Sequence, residues 1–350
     1  MFRSFADVIP VVEGLKIPEV KGGKPFIHEV EPTEFQKEYV KGLADRANNI
    51  SGRPEKGADN MLKITTEGRK VALSGRLVDV TQDIELDGKL AVTAKEIVRV
   101  YKESKKHKGT QLVFMDIGVP GANEALNMYA ALKDMLVAAG IPSAQIKTIY
   151  DAKNEEGRKK LFRQVNDGTV RVLMGSTGKM GTGVNVQQRV AAMHHIDVPY
   201  RPGDLTQRNG RGRRQGNLYT DLDGIEIHYY VTKGTFDSYM WQKVQTKSAF
   251  IEQLMTNENK LRESEGESMN LTAAEVTAIA SGNPMILEKF ALENDLMKLA
   301  ALKDQHDNDI THAKKQIHSN KTKIASLKKQ IEAVKKDIAQ KVDTKGDRSE

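Results

Sequence analysis

Residues 170–217 read VRVLMGSTGKMGTGVNVQQRVAAMHHIDVPYRPGDLTQRNGRGRRQGN. Two short apolar runs, VRVLMG at 170–175 and AAMHHIDV at 191–198, are typical of buried strands, and a glycine-rich turn separates them. A helix is expected to begin near Pro202, because proline suits the first turn of a helix. This order of strand, turn, strand and helix predicts an α/β fold.

The same alternation extends on both sides of this stretch. Further apolar runs predict strands at 111–117, 146–150 and 225–231. Helices are expected at about 93–105, 123–139 and 154–166. The first of these helices would open with a capping box at Thr93-Ala-Lys-Glu96. Strands that alternate with helices of this length form parallel sheets, and because the strands are apolar throughout, we expect helices on both faces.

Segments of different character flank this predicted domain. Residues 1–92 are rich in proline, with one helical stretch near 32–49, and are expected to form an irregular connecting arm. The α/β domain is expected over 93–235. A helical extension would occupy 236–285, where one helix is predicted at 235–260 and a capping box at Thr272-Ala-Ala-Glu275 begins another. Residues 286–350 are expected to form long basic coiled-coil helices.

Isoleucines recur every seven residues in this C-terminal tail, at 310, 317, 324, 331 and 338. Such spacing is typical of the a positions of a coiled coil, although polar Asn320 and Lys341 occupy d positions. Two interpretations remain open. The tail is a long helix that packs against the rest of its own chain, or it self-associates through 310–341. Residues 310–350 carry 11 Lys and Arg against 5 Asp and Glu, so the tail is either a solvated face or a DNA contact.

The composition excludes several classes of protein. The 350 residues contain no cysteine, which excludes disulfides, thiolate zinc sites and cysteine nucleophiles. No apolar run approaches the roughly 18 residues of a membrane helix, and the N-terminus has no signal-peptide core. We therefore expect a cytoplasmic protein without a membrane partner. The 54 Lys and Arg exceed the 47 Asp and Glu, giving a net charge of +7 that favours an anionic partner.

Positive charge is concentrated in QRNGRGRRQGN, residues 207–217. Arg211, Arg213 and Arg214 share about one helical turn, and Arg208 precedes them. Like charges this close repel one another unless an anion lies opposite, and the guanidinium fork suits phosphate oxygens. The glycines at 175, 178, 181 and 183 follow a strand and would let backbone N–H groups approach an anion, although a plain tight turn is the alternative.

The pair His194-His195 is the remaining candidate for chemistry. Adjacent residues in a strand point to opposite faces, and neither a thiolate nor a cluster of carboxylates lies near them in the sequence. We therefore expect strand histidines, and no metal bound by this chain itself. Trp241 is expected to pack in the core or between lobes.

Two strings carry a family resemblance. The pattern Q-x-x-G-R-x-x-R-x-G-[QN] is matched by Gln207, Gly210, Arg211, Arg214, Gly216 and Asn217. The pattern S-x-x-K-x-G-x-G-x-N-x-Q is matched by Ser176, Lys179, Gly181, Gly183, Asn185 and Gln187. They resemble motifs VI and V of Swi/Snf-type superfamily-two helicases, whose motif IV is similar to QLVF at 111–114 and whose linking segment is similar to Asp197 with Tyr200-Arg201-Pro202.

The wider sequence resembles one branch of that family. MLKITTEGRK at 61–70, GTFDSYMWQ at 234–242 and the helical tail are similar to the helicase portion of very large DNA methylase–helicase proteins of phages and conjugative elements. The resemblance implies a second RecA-like lobe. Neither a Walker A loop nor an Asp-Glu-x-His box occurs in the sequence, so the chain is expected to begin just after a first lobe ends.

The resemblance also implies roles for the matching residues. Arg211 and Arg214 would act as arginine fingers, and Gln207 would position the nucleotide or the attacking water. The residues expected at the nucleotide are Gly181, Gly183, Asn185, Gly210 and Asp197. Those expected at the DNA backbone are Ser176, Thr177, Lys179 and Arg208.

The implied function is the C-terminal half of an ATP-dependent helicase or translocase acting on double-stranded DNA. ATP and Mg²⁺ would bind only together with a first lobe supplied in cis or in trans, and a DNA methylase module is a further expected neighbour. The chain alone is predicted to be inactive as an ATPase. The alternative is a non-catalytic DNA-binding or scaffold protein, with a degenerate lobe and a dimerising coiled coil.

Overall fold

The computed structural model of the chain describes residues 16–50, 59–121, 123–180, 185–244, 276–277, 279–280 and 284–339. They belong to two compact units, one that extends to Asn283 and one that begins at Pro284. The first unit is an α/β body, and the described residues of the second form one long helix. Across these described ranges, no helix combines the length and the apolar character needed to span a membrane.

A parallel sheet forms the centre of the first unit. Its strands are β1 (Phe26–Val30), β2 (Thr110–Phe114), β3 (Ile146–Thr148), β4 (Val172–Gly175), β5 (Val190–His195) and β6 (Glu226–Thr232). Their order across the sheet is β1-β6-β5-β2-β4-β3, and all of these pairs are parallel. Strands β2, β4 and β5 are buried along their whole length. This arrangement confirms the predicted parallel α/β fold.

Helices cover both faces of the sheet. They are α1 (Glu34–Asn48), α2 (Met61–Leu73), α3 (Lys89–Glu103), α4 (Met128–Ala138), α5 (Glu155–Asn166), the single turn α6 (Thr177–Met180) and α7 (Pro202–Gly212). One hydrophobic core joins the sheet to α5, α7 and a helical stretch over 236–244. The other core joins the opposite face to α2, α3 and α4.

Several helix boundaries follow the local signals in the sequence. The side chain of Asn154 accepts a hydrogen bond from the backbone N–H of Gly157 and caps α5. Helix α7 begins at Pro202, as predicted. Helix α4 ends just before Gly140, whose φ of +96° is one that glycine adopts without strain.

The predicted capping box at Thr93 is wrong. Helix α3 begins four residues earlier, at Lys89, and Thr93 lies inside it. The Thr93 hydroxyl donates to the carbonyl oxygen of Lys89 at 2.8 Å instead of accepting from the backbone. The helix extends backward because Leu90 is buried in the core together with Ile97, so tertiary packing overrides the local signal.

The arm expected to be irregular contributes a strand to the sheet. Strand β1 pairs with β6 at the edge of the sheet, with Phe26 opposite His228 and Val30 opposite Thr232. Helix α1 follows and agrees with the helix predicted near 32–49. Arg46 on α1 forms ion pairs of 2.7 Å with Asp59 and 2.5 Å with Glu67, which join α1 to α2.

The second unit contains one helix, Pro284–Ala339, which spans the heptad isoleucines. The five isoleucines at 310, 317, 324, 331 and 338 are between 39% and 66% exposed in the single chain. The predicted d residue Lys341, the capping box at 272–275 and the helix over 245–260 lie outside the described residues.

Candidate functional site

The candidate site lies at the carboxyl edge of the sheet, where β2, β4 and β5 end. Asp116 follows β2, Ser176 follows β4 and Asp197 follows β5. Ligands of open parallel sheets bind outside the carboxyl ends of the strands. The short helix α6 and the amino half of α7 continue from this edge, so the two family motifs meet here.

Arg208 on α7 is the centre of a buried hydrogen-bond network. It is 0% exposed, and its Nη2 lies 2.7 Å from Asp116 Oδ2 and 3.1 Å from Asp197 Oδ1. Its Nε donates to Thr177 Oγ1 at 2.8 Å, and its Nη1 donates to the carbonyl oxygen of Asp197 at 2.9 Å. Thr177 in turn donates to Asp116 through its hydroxyl, at 2.7 Å, and its backbone N–H, at 2.6 Å. One arginine thus joins α7 to α6 and to the ends of two strands.

The two carboxylates of this network differ in their electrostatics. Burial opposes ionisation of Asp116, but the charge of Arg208 and the hydrogen bonds of Thr177 outweigh it and lower the pKa of Asp116. Burial, and then the negative charge of Asp116, raise the pKa of Asp197. Asp197 Oδ2 also accepts hydrogen bonds from the backbone N–H groups of Asp116 and Ile117. The network therefore places an anionic Asp116 against the Arg208 guanidinium.

Burial corrects two of the expected roles. Arg208 was expected at the DNA backbone, but it has no exposed surface and its nitrogens bond to Asp116, Asp197 and Thr177. Asp197 was expected at the nucleotide, but it is 2% exposed and both its carboxylate oxygens accept hydrogen bonds within the protein. Both residues fix the position of α7 and do not offer their side chains to a ligand.

The other face of α7 is open. Gln207 and Gly210 are exposed, and Arg211 is half-buried at the boundary between the two faces. A Cβ on Gly210 would meet no atom of the described residues within 4 Å. Burial, and then the nearby charge of Arg214, lower the pKa of the Arg211 guanidinium. The two arginines are thus close enough to repel one another, as the sequence predicts.

Arg214 connects the two family motifs directly. It lies just beyond the carboxyl end of α7, and its Nη1 is 2.6 Å from Oδ1 of Asn185. Both side chains are exposed, so this contact lies on the surface of the lobe. Gly181 and Gly183, which were also expected at the nucleotide, lie outside the described residues.

Lys179, one of the two further residues expected at the DNA backbone, lines a basic groove. Lys179 is exposed, and Ser176 is half-buried and accepts a hydrogen bond from the Tyr150 hydroxyl at 3.0 Å. Arg158 on α5 donates to the carbonyl oxygen of Lys179 at 3.1 Å. The groove is lined by Glu155, Arg158, Lys159, Phe162, Arg163, Asn166, Gly178, Lys179 and Asn185. Four of these side chains are cationic and one is acidic, so the groove favours an anion.

Thr177 was also expected at the DNA backbone. Its hydroxyl and its backbone N–H are both used within the Arg208 network. The network therefore holds the first turn of α6, which carries Lys179 towards the groove.

The paired histidines lie in β5, as predicted. The His194 ring stacks on His228 at 4.6 Å, whereas the His195 ring stacks on Phe114 at 5.5 Å on the other side of the sheet. Both are fully buried, and burial lowers their pKa values well below the usual range. Trp241 is buried against Tyr229, at a ring distance of 4.5 Å, which confirms that it packs in the core.

Asp116 is the residue of this site that sequence reasoning missed. It is the sixth residue of the run QLVFMDI at 111–117, and the only charged one. An acidic residue directly after a buried parallel strand points to the carboxyl edge of the sheet. This position was a usable signal, although the sequence does not reveal the partner Arg208, which lies 92 residues away.

Comparison with known proteins agrees with this geometry. The family described as helicase conserved C-terminal domain matches residues 92–216. The chain is also 28% identical over 167 residues to Defense against restriction protein B of Escherichia phage P1. That alignment covers 45% of this chain and 7% of the phage protein, so the chain spans only a small part of that relative.

Similar solved structures include part of one ATPase domain and two structures of another ATPase core. The C-terminal part of the Fun30 ATPase domain is 11% identical, with a TM-score of 0.46 over 69% of this chain and 98% of that one. The Sulfolobus solfataricus SWI2/SNF2 ATPase core is 14% identical, with a TM-score of 0.46 over 73% of this chain and 48% of that one. The same core in complex with dsDNA is 12% identical, with a TM-score of 0.44 over 67% and 47%.

The family match confirms the resemblance that the two motifs predict. It includes strands β2 to β5 and the whole of α7, which are the elements that build the candidate site. Residues 92–216 therefore match the helicase conserved C-terminal domain, and they supply four of the strands in the parallel sheet.

Proposed function

We propose that this chain is the C-terminal lobe of an ATP-dependent DNA helicase or translocase of Swi/Snf type. The observation that carries this proposal is the Arg208 network, which fixes α7 at the carboxyl edge of the sheet. With that helix fixed, Arg214 contacts Asn185 on the surface of the lobe, and Arg211 lies at the edge of the open face. The helicase domain match supports the same interpretation.

The open side of α7 suits the phosphates of a nucleotide. Guanidinium groups bind phosphate oxygens in a bidentate manner, and an anion would relieve the repulsion between Arg211 and Arg214. The free space above Gly210 allows a ligand to approach the helix backbone. Arg211 and Arg214 would contact the terminal phosphate, and Gln207, together with the exposed Asn185, would orient the nucleotide or the attacking water.

Catalysis by this side of the site is electrostatic. ATP with Mg²⁺ supplies the phosphoanhydride bond, and a first RecA-like lobe would hold most of its phosphate oxygens. Arg211 and Arg214 would stabilise the charge that develops in the transition state, and arginine fingers contribute about 10³–10⁵ in rate. Gly181 and Gly183 are proposed to approach the nucleotide from the glycine-rich turn.

The Arg208 network would couple this site to DNA. Because Arg208 bonds to Thr177 on α6, a movement of α7 shifts the turn that carries Lys179. Ser176 and Lys179, together with Arg158 and Arg163 of the basic groove, would hold phosphates of the DNA backbone. Such contacts are independent of sequence and weaken as the salt concentration rises.

The test is DNA-stimulated ATP hydrolysis by the chain alone, with a first lobe added in trans, and fused to one. The lone chain should be inactive because its sequence has no Walker A loop. In the fused enzyme, the double change Arg211→Ala, Arg214→Ala should lower kcat by about 10³ or more.

Arg213→Ala is the matched control, since Arg213 is an exposed arginine of the same cluster outside the two motif positions. It should hydrolyse ATP like the unmodified fusion. Hydrolysis by the lone chain, or full activity of the double variant, would contradict the proposal.

A second candidate function is a non-catalytic scaffold that dimerises through its tail. The exposed isoleucines of the helix Pro284–Ala339 favour it, because apolar side chains at heptad spacing are those that pair in coiled coils. The two candidates are separable, since the scaffold requires the tail and the motor requires Arg211 and Arg214. A DNA methylase module remains a proposed neighbour in either case.

A further inference from the structure

Three possible metal ligands meet where α3 packs against β1 and β6. His28 belongs to β1, His228 to β6 and Glu96 to α3. One ligand atom from each side chain lies within 4.8 Å of the other two. Imidazole nitrogens and a carboxylate oxygen are ligands that Zn²⁺ takes in proteins. No part of the proposed ATPase or DNA site involves these residues.

The hydrogen bonds of His228 determine which of its nitrogens is free to bind a cation. Its Nε2 lies 3.1 Å from Glu226 Oε2, and the same carboxylate is paired with Lys21 and Arg99. A charged carboxylate requires a donor, so Nε2 of His228 carries the proton and Nδ1 presents a lone pair.

That lone pair points at His28. His228 Nδ1 and His28 Nε2 are 2.9 Å apart, so without a metal the two rings share one hydrogen bond. A cation can bind between the two nitrogens if His28 changes tautomer, so that the proton on its Nε2 moves to Nδ1 and Nε2 presents a lone pair. Tetrahedral Zn²⁺, with Zn–N distances of about 2.0–2.1 Å, needs the two nitrogens about 3.3 Å apart. The two histidine nitrogens would therefore move apart by only a few tenths of an ångström, and the Glu96 carboxylate, within 4.8 Å of both, would close on the ion.

The outer contacts also resemble those of a metal site. A histidine that binds a metal usually donates its other N–H to a carboxylate or a carbonyl oxygen, and Glu226 is placed to accept from His228 in this way. His194 stacks on His228 at 4.6 Å and holds its ring in place. His194 is no ligand itself, because its two nitrogens bond to Tyr230 and Gln111.

The charge balance of the cluster accommodates a dication. Arg99 forms ion pairs with Glu96 at 2.8 Å, Glu103 at 2.8 Å and Glu226 at 2.5 Å, and Lys21 pairs with Glu226 at 3.0 Å. Three carboxylates thus face two cations. The surplus of negative charge offsets part of the charge of a bound divalent ion, although Arg99 competes with it for Glu96.

We propose that His28, Glu96 and His228 bind one Zn²⁺ ion, with the fourth position open to water on the side of half-exposed His28. The ion would join three segments that are far apart in the sequence. It would hold β1, from the N-terminal arm, against β6 and α3 of the lobe, and its role is structural.

The test measures Zn²⁺ binding to the full chain by equilibrium dialysis, and coordination by the visible absorption of the chain loaded with Co²⁺. One ion per chain is expected. His28→Ala and Glu96→Gln should each weaken Zn²⁺ binding at least tenfold, and Zn²⁺ should raise the Tm of the unmodified chain but not of these variants. Glu96→Gln preserves the size of the side chain, so an unchanged circular dichroism spectrum excludes unfolding as the cause.

His107→Ala is the control, because it removes a histidine of the same lobe outside the cluster and should bind Zn²⁺ like the unmodified chain. The proposal is overturned if no one-to-one binding is seen at micromolar Zn²⁺. It is also overturned if His28→Ala and Glu96→Gln both bind Zn²⁺ normally, since the ion then lies on other histidines of the chain.

Discussion

Arg208 and Arg211 lie three residues apart in α7 and have different surroundings. Leu205, Arg208 and Gly212 form the buried face of this helix, whereas Gln207 and Gly210 form its open face. Arg208 is stabilised by the two aspartates at the strand ends, and Arg211 lies at the boundary with its charge close to Arg214. One arginine therefore positions the helix, and the next is the one that we propose contacts the nucleotide.

This difference leads to a prediction for stability. Arg208→Ala should lower the free energy of unfolding by about 3–5 kcal/mol, because it leaves the buried Asp197 and the half-buried Asp116 without their cation. Urea denaturation measures the change. Arg213→Ala is the control and should stay within about 0.5 kcal/mol of the unmodified chain. If Arg208→Ala instead weakened DNA binding and left stability unchanged, Arg208 would be a DNA contact after all.

At the residue level, the sequence indicates the chemistry of the site more reliably than the role of each residue in it. The motif positions Arg211 and Arg214 could be selected because their spacing and charge are visible locally. Arg208 could not be assigned, because its partners Asp116 and Asp197 lie 92 and 11 residues away and only the fold brings them to it. The proposed zinc ligands His28, Glu96 and His228 give no local signal, because they are too far apart in the sequence to form a metal-binding motif.

At the level of elements, burial decides which strands could be predicted. The inner strands β2, β4 and β5 are apolar runs because both of their faces are covered. Strand β1, with the sequence FIHEV, lies at the edge of the sheet and exposes several side chains, so its pattern is mixed and its neighbours include prolines. The start of α3 was missed because the core residue Leu90 extends the helix beyond the local signal at Thr93.

The ion pairs of Glu226, at the start of β6, should make the free energy of unfolding depend on pH. Glu226 joins β6 to Lys21 before β1 and to Arg99 on α3. Since its folded-state pKa is lowered, the stabilisation is complete above the unfolded pKa, about 4.3, and is lost as the pH falls towards the folded value. Glu226→Gln should therefore lower the free energy of unfolding by about 3 kcal/mol at pH 7.

Thermal or urea denaturation of both chains between pH 7 and pH 3 measures this effect. The difference between Glu226→Gln and the unmodified chain should be constant above about pH 5 and should shrink at lower pH. Lys233 pairs with Glu29 and Glu31 on the surface, so Glu31→Gln is the control and should show almost no difference at any pH. A difference for Glu226→Gln that does not depend on pH would refute this account.

At the scale of the whole molecule, the two units expose different kinds of surface. The lobe carries the charged motif residues and the basic groove, whereas the helix Pro284–Ala339 carries exposed isoleucines at heptad spacing. Apolar side chains arranged in this way are stabilised when a second helix covers them. The heptad could be recognised in the sequence because its spacing is local. The identity of the helix that covers the isoleucines cannot be read from that spacing.

We expect the tail to pair with a second copy of the chain. Sedimentation equilibrium should show a dimer, and Ile317→Asp with Ile324→Asp should convert it to a monomer, because charges at a positions are not accommodated in a coiled coil. Thr322→Asp places the same charge on the opposite side of the helix and should leave the dimer intact. A monomer in the unmodified chain would contradict pairing and remove the main support for the scaffold function.

Strand β1 has a consequence for any attempt to isolate the helicase domain. The matched domain begins at residue 92, yet the edge of β6 is covered by a strand from residues 26–30. A truncated chain that begins at residue 92 would leave the hydrogen-bonding groups of β6 without their partners. Exposed strand edges of this kind promote intermolecular pairing. The smallest piece that stays monodisperse is therefore longer than the family boundary, and the N-terminal arm is part of the folding unit.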